Sequence, residues 1–511
     1  MNALYQDFIG SSLDVLSTLF VFSVGVVILT IGVLFIVDVT QTKDAVRKNY
    51  PVLGRFRYLF STLGEFFRQY FFAMDREEMP FNRAEREWIY RAAHNHDNTI
   101  AFGSTKNLTS SGTAFFVNCP FPTLDKDAVE MQKLKIGPYC EHPYNAPSFF
   151  NISAMSYGAL STPAVRALSN GARMAGCWMN TGEGGLSPYH LEGGCDVVMQ
   201  IGTAKYGVRN EQGDLCDHKL KEVAAHEQVK MFELKMSQGA KPGKGGILPG
   251  IKVTPEIARI RSIPAGQDSI SPNRHPEIDS INEMLDMINR IRNVTGKPVG
   301  FKAVIGSFSW LDKMCEEIHK RGIECAPDFI TIDSGDGGTG AAPMSLMDNV
   351  GLGIKESLPL VSDIIHKYSL KDRIRLIASG KLVTPSEVAW AIAAGADFVT
   401  SARGFMFSLG CIQALKCNKN TCPTGITTHN ARLQKGLNPE NKAVKVAHYC
   451  ENMVHEVQII SHSCGVTMPR LMDRKHVRIV QDNGTSLPMN ELYPLPKLLQ
   501  KYEVEPQNLT S

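Results

Sequence analysis

Between Phe149 and Ser401, short apolar runs alternate with stretches whose apolar residues recur at helical spacing, the pattern of a parallel α/β architecture. The apolar runs are Phe149–Ala154, Cys177–Thr181, Val197–Ile201, Phe232–Met236, Val299–Ala303, Phe329–Asp333, Ile374–Ala378 and Phe398–Ser401. Between them, Pro163–Met174, Ile281–Val294 and Pro385–Ala394 have helical spacing and helix-start residues before them. Eight such strands predict an α/β fold, a (β/α)8 TIM barrel over residues 145–435. The fourth and fifth strands are far apart, which leaves a large loop from Lys241 to about His275. No solenoid-period repeat and no low-complexity tract interrupts the pattern.

The pattern breaks at the N-terminus. From Val15 to Val37 no residue is charged, about the length that spans a bilayer. The start carries Asp7 and Asp14 and no Lys or Arg, unlike a cleaved signal peptide. A core helix of the barrel is the other reading of such a run, but wholly apolar helices at a terminus are uncommon in soluble folds. The expectation is a transmembrane anchor over residues 1–40. Lys43, Arg47, Lys48, Arg55 and Arg57 follow it, which places the remainder on the cytoplasmic side. The stretch Tyr58–Met74 is broken by Gly64, Glu65 and Arg68 and reads as an amphipathic helix lying on the membrane surface. It belongs to an N-terminal extension over 41–144. Residues 436–511 are expected to form a C-terminal helical extension.

Composition adds exclusions. With 21% charged residues and a net charge of +3, the 511-residue chain has no broad basic field, so nucleic acid is not an expected partner. Its 12 cysteines are mostly scattered singly, unlike a secreted disulfide framework, and Cys177 and Cys315 read as core thiols.

The unusual residues fall where the strands end, the face on which such barrels carry chemistry. Met155-Ser156-Tyr157-Gly158 follows the first strand and Gly182-Glu183-Gly184-Gly185 the second. Gln200 closes the third, Lys235 and Gln238 the fourth, and Lys302 lies in the fifth. Asp333-Ser-Gly-Asp-Gly-Gly-Thr-Gly340 follows the sixth, Ser379-Gly380 the seventh, and Ala402-Arg403-Gly404 the eighth. Any one could be a turn glycine or a paired surface charge; eight aligned occurrences are poorly explained that way. The glycine loops bring backbone N–H groups to a phosphate, and Arg403 adds a fork of donors suited to a dianion. Met155, Ser156, Gln200, Lys302, Gly335, Asp336, Gly337, Gly338, Gly340, Gly380, Ala402 and Arg403 are therefore candidates for binding FMN. Gln200 would read the polar edge of the ring and Lys302 would stabilise its reduced form. An ion pair with a barrel carboxylate is the alternative for Lys302.

Gly410-Cys411-x5-Cys417-x4-Cys422-Pro423 places three thiols within a dozen residues, which suits an iron–sulfur cluster. Three local cysteines point to a 3Fe–4S centre. Zinc completed by His429, or inert thiols, are the alternatives, although zinc spacings usually pair cysteines more closely.

Together with this motif, Thr181-Gly-Glu-Gly-Gly185, Lys235-Met-Ser-Gln-Gly-Ala-Lys-Pro-Gly243, Leu248-Pro-Gly-x-Lys-Val253, Ser271-Pro272 and Ser334-Gly-Asp-Gly-Gly-Thr-Gly340 resemble the synthase domain of glutamate synthases over residues 145–435. The resemblance implies reductive amination: 2-oxoglutarate and ammonia form 2-iminoglutarate, and reduced FMN delivers hydride to give L-glutamate. The cluster would pass electrons from an external donor protein, a ferredoxin or a pyridine-nucleotide-oxidising subunit. By the same resemblance Gln238, Lys241, Arg261 and Ser280 would hold the oxo-acid carboxylates. Glu183 would assist iminium formation or proton movement, and Lys235 would orient flavin and substrate. For Glu183, a loop carboxylate paired with a neighbouring lysine is the alternative.

The chain departs from the family in several places. It begins Met1-Asn2 and enters the apolar run, so the glutaminase domain is expected to be absent, and the residues after the barrel are too few for the family's β-helix domain. Ile247 stands where the family has a substrate-contacting Gln, and Lys244 where it has Glu. No dinucleotide fingerprint is visible, so reductant must come from a partner. Ile247 and the membrane helix favour a second reading, a membrane-attached flavin and iron–sulfur electron-transfer module without oxo-acid amination, whereas retention of Gln238, Lys241, Arg261 and Glu183 favours the synthase.

Overall fold

The computed structural model describes residues 2–499, which divide into one compact unit ending at Ala84 and another beginning at Glu85. The first unit opens with the helix Asn2–Thr40, whose segment Ile9–Thr40 is 32 residues long and apolar enough to cross a membrane. From Ile9 onward its side chains are exposed apart from Ser12, Leu34 and Asp38. A short helix Ala45–Asn49 leads to the helix Leu53–Phe67 and a π-turn Arg68–Phe72, over the stretch expected to be amphipathic.

The second unit is built on a closed barrel of eight parallel strands. They are β1 (Phe150–Ile152), β2 (Met179–Asn180), β3 (Val197–Ile201), β4 (Val229–Lys235), β5 (Val299–Val304), β6 (Phe329–Asp333), β7 (Arg375–Ser379) and β8 (Phe398–Ser401). Each strand pairs with its neighbour in sequence, and β8 returns to β1 with Val399 opposite Phe150. All eight runs read from alternation are strands; β1 and β2 are shorter than the runs, with three and two residues. Every residue of β3, β6 and β8 is buried, as expected of strands covered on both faces.

The helices form for local reasons. Ser161 caps Thr162–Ala175 by accepting from the Ala164 N–H, and Gly176 ends it at a left-handed φ of 66°. Ser280 caps Ile281–Thr295, and Thr384 with Glu387 makes a capping box at Pro385–Ala393.

The bottom of the barrel is closed by the hairpin Leu134–Ile136 and Tyr144–Ala146, which packs on Trp178, Val198, Met231, Phe329, Ile377 and Phe398. Three aspartates stand one residue ahead of a strand here. Asp196 accepts from the Tyr144 hydroxyl at 2.9 Å. Asp397 accepts from Lys371 and the Leu376 N–H, each at 2.8 Å. Asp328, wholly buried, is held by Arg292 at 3.0 Å, Arg373 at 2.7 Å and the Val299 N–H at 2.8 Å.

Two regions differ from expectation. Residues 85–144 belong to the barrel unit, because they carry the first strand of the hairpin that plugs the barrel. The region after residue 435 is not wholly helical. Its helix Pro439–Ser463 packs on Thr162–Ala175, close enough that a Cβ on Gly171 would sit 2.6 Å from the Ala443 carbonyl. Beyond it, Val477–Val480 pairs antiparallel with both Ala114–Phe116 and Ser486–Pro488. That pairing joins strands some 360 residues apart, which no local pattern reports.

Candidate functional site

Above the apolar floor the inward-facing residues of the barrel become polar. Glu233, on β4, accepts hydrogen bonds from Asn180 at 2.9 Å, Gln200 at 2.7 Å and Thr331 at 2.5 Å. One buried carboxylate thus fixes side chains from β2, β3 and β6, the saturation that a buried charge requires. Higher still, Lys302 pairs with Asp333 at 3.2 Å and lies in register beside Lys235. The ion pair weighed for Lys302 exists, and the same side chain lines the cavity above.

That cavity opens at the C-terminal ends of the strands and measures about 460 Å³, within the range of cofactor sites. Met155, Ser156, Glu183, Gln200, Lys235, Gln238, Lys241, Arg261, Lys302, Gly338, Gly340, Ala402 and Arg403 all line it. Its charges are one-sided. Lys235, Lys241, Lys252, Arg261, Lys302, Arg403 and Lys419 line it together with one carboxylate, Glu183.

Glu183 sits in a slot. Its carboxylate is 3.1 Å from the Lys235 Nζ, and a Cβ on Gly246 would stand 2.5 Å from its Oε1. A Cβ on Gly202 would stand 2.6 Å from the Glu183 Cβ on the other side. Burial alone would raise this carboxyl, but Lys235, Lys241 and Arg261 outweigh it and hold it below its ordinary range. The lysine pairing weighed for Glu183 exists, and the paired carboxylate is the one that lines the cavity.

The long segment between β4 and β5 folds back over the mouth as a two-stranded ribbon, with Ile247 opposite Ile270, and a helix Pro255–Arg261 capped by Thr254. Arg261 ends that helix buried, its guanidinium 5.1 Å over the Tyr206 ring and 3.3 Å from the Tyr157 carbonyl. Its Nε has no partner within the protein. Burial lowers the pKa of Arg261, and burial with the neighbouring Lys235 lowers that of Lys241. Both cations are held where an anion would relieve them. Ser280 does not join them: it lies exposed as the cap of Ile281–Thr295, accepting from the Glu283 N–H at 3.2 Å and donating to the Glu283 carboxylate at 3.0 Å. Its work as a helix N-cap, tied to Glu283 three residues on, explains its place without a ligand.

On the opposite wall, Arg403 donates to the Thr339 carbonyl, and a Cβ on Gly338 would meet the Arg403 side chain at 2.9 Å. Gly335, Asp336, Gly337 and Gly380 stand behind this wall. Asp336 pairs with Lys381 at 2.9 Å, and Gly380 adopts φ +111° with a would-be Cβ 2.5 Å from that of Ser334. These four shape the loops without lining the space. An open glycine wall beside a guanidinium, with Gln200 and Lys302 at the base, fits a planar cofactor bearing a phosphate.

The cysteine loop borders the same cavity. Cys417 lines it, and Lys252, 2% exposed, donates to the Cys417 carbonyl at 2.8 Å and the Thr427 carbonyl at 2.6 Å. The Tyr90 hydroxyl donates to the Cys411 carbonyl at 2.5 Å. Burial raises the Cys411 thiol, with Cys417 and Cys422 near enough to add to the shift. Among the described residues, no three His, Cys, Asp or Glu side chains converge as one bound ion would require. His429 turns its Nε2 to the Gly158 carbonyl at 2.8 Å, which argues against zinc completed by that residue.

Several cavity or base residues carry no individual signal in the sequence: Asn180, Glu233, Thr331 and Lys419. Lys252 did carry one, since it closes the Leu-Pro-Gly-x-Lys segment.

Residues 117–467 match the family model described as a conserved region in glutamate synthase. The glutamate synthase large subunit-like protein YerD of Bacillus subtilis (strain 168) is 38% identical, over 94% of this chain and 98% of that protein. The archaeal-type glutamate synthase (NADPH) of Thermotoga maritima is 33% identical over 67% of this chain, which spans only 63% of that protein's length. Among solved structures, mandelate oxidase with (S)-4-hydroxymandelic acid aligns over 77% of this chain and 98% of its own, at 14% identity and a TM-score of 0.46.

Proposed function

Because the chain belongs to the glutamate synthase family and is an oxidoreductase of that kind, we propose that it aminates 2-oxoglutarate, or a related oxo-acid, to L-glutamate or its analogue. The reading rests on one observation above all: buried cations surround a single carboxylate, and Arg261 keeps an unpartnered Nε among them. A dianionic substrate is the ligand that such a charge balance calls for.

In this reading Gly338, Gly340, Ala402 and Arg403, with Gln200 and Lys302 at the base, would hold FMN, which would supply hydride when reduced. Every other step belongs to the chain. Arg261, Lys241 and Gln238 hold the carboxylates and orient the carbonyl carbon. Glu183, ionised because its neighbours are cations, accepts at Oε2 the proton that ammonia loses on attack. Lys235, 3.1 Å away, protonates the oxygen formed on attack, and the proton held by Glu183 then passes to that oxygen as it leaves as water, giving the iminium. The ribbon at Ile247–Leu248 covers the mouth and limits water access.

Electrons would arrive from an external donor protein through a 3Fe–4S cluster on Cys411, Cys417 and Cys422. Supporting this, Cys417 lines the cavity with its sulfur 3.8 Å from the Arg403 guanidinium, and the motif spacing holds all three cysteines on one loop. The helix Ile9–Thr40 would anchor the chain in a membrane with the barrel on the cytoplasmic side.

The test is anaerobic. Reduced protein given 2-oxoglutarate and ammonium should reoxidise its flavin and yield glutamate. If no oxo-acid does so, the electron-transfer module, which Ile247 favours, becomes the better account. Separately, oxidised protein should show an electron paramagnetic resonance signal that Cys417→Ala removes; zinc in place of iron would end the cluster assignment.

A further inference from the structure

The first compact unit gathers two partly exposed arginines around one buried carboxylate where the apolar helix ends. Asp38 is wholly buried although it lies two residues before Thr40. Its Oδ1 accepts from Arg47 at 2.6 Å and from Arg55 at 2.7 Å, and its Oδ2 from the Val52 N–H at 3.0 Å. Supporting contacts tighten the same turn. Gln41 donates to the carbonyls of Asp38 at 3.1 Å and Asp44 at 2.8 Å, and Tyr58 donates to the Asp44 carboxylate. A Cβ on Gly54 would stand 3.0 Å from the Arg47 Cα, so the chain doubles back with little space to spare.

This clamp fixes depth. Whatever level the end of the apolar helix occupies, Val52 and Arg55 occupy it too, because they touch the carboxylate of that helix's last turn. The helix beginning at Leu53 therefore starts at the same level. Along it and the following π-turn, Phe56, Phe60, Leu63, Phe67 and Phe71 recur at helical spacing and are all exposed, Phe60 by 65% and Phe71 by 68%. Arg57 and Arg68 flank that stripe.

We propose that the Asp38–Arg47–Arg55 clamp sets residues 53–72 as an aromatic shelf in the headgroup region of an anionic bilayer. The inference rests on reading Ile9–Thr40 as a membrane span. Continuity with that apolar helix, the phenylalanine stripe and the flanking arginines select a lipid surface. A second copy of the chain is the competing occupant. Two opposed guanidiniums on one carboxylate leave the cluster with a positive charge, which suits acidic lipid headgroups.

The full chain carrying Phe60→Trp is reconstituted in vesicles of phosphatidylcholine and phosphatidylglycerol that contain lipids brominated near the headgroup or near the chain end. Quenching is read as the difference from the unsubstituted chain. The shelf requires shallow bromines to quench about twofold or more better than deep ones. Asp38→Asn in the same background should lower shallow quenching by about half or more, through loss of the clamp. Vesicle flotation should be unchanged. A chain that floats but whose introduced tryptophan is solvent-exposed, or buried only at high protein-to-lipid ratio, overturns the shelf and leaves the span. A chain that fails to float overturns both.

Discussion

The two ends of the barrel treat charge in opposite ways. At the bottom, Asp328 has two arginines and a backbone N–H, and those arginines spend their remaining donors on the carbonyls of Ile323, Glu324 and Ala326. Each nitrogen of those two guanidiniums is matched inside the protein. At the mouth, the cations outnumber Glu183, and Arg261 keeps a donor unused. A matched cluster serves stability, since removing one partner strands the others. An unmatched one leaves unfavourable burial that a bound anion would relieve, which sets the mouth apart from the Asp328 cluster.

The comparison breaks most visibly at the bottom. Asp328→Ala should destabilise the protein by about 3–5 kcal/mol in urea unfolding, because two buried guanidiniums lose their counter-ion. Oxo-acid affinity of the fraction that stays folded should be unchanged. A loss under about 1 kcal/mol would mean that the bottom charges are less tightly matched than their geometry indicates.

At the mouth the expected effects fall on binding and turnover. Arg261→Lys keeps the charge but loses the planar fork, so oxo-acid use should weaken about tenfold or more with FMN content intact. Gly246→Ala should lower turnover about tenfold by driving a methyl group against Glu183 Oε1, 2.5 Å away, with the unfolding midpoint little changed. Intact turnover in that variant would remove Glu183 from the chemistry.

Acid–base behaviour sharpens the contrast further. Burial, with Lys235 nearby, lowers the pKa of Lys241, so the folded chain loses that proton at a lower pH than the unfolded chain does. Oxo-acid affinity should therefore hold on the acid side and fall as pH rises through that lowered value, before an ordinary lysine titrates. Lys241→Arg, which stays charged, should move this alkaline limit upward in a titration of dissociation constant against pH. The smallest effect is expected at the rim. Ile247→Gln, on a half-exposed ribbon residue, should leave 2-oxoglutarate use the same or improve it by about twofold.

What the sequence determined by itself was whatever depends on near neighbours. Eight strands were legible because a strand buried on both faces must be apolar along its length, and the C-terminal ends of those strands pointed to the loops with the chemistry. The dense motifs located Glu183, Lys235, Gln238, Lys241 and Arg261, which the structure brings to one cavity. Ser280 shows the limit of that reasoning, since a helix cap and a ligand-binding serine look alike in sequence. Tertiary structure alone decided that Glu233 gathers Asn180, Gln200 and Thr331, and that residues from 85 onward belong with the barrel. It also decided that Asp38 draws Arg47 and Arg55 into one cluster. Periodicity reports which face of an element is apolar. Which buried charge meets which donor depends on barrel closure and chain reversal, and these bring together residues that no local pattern relates.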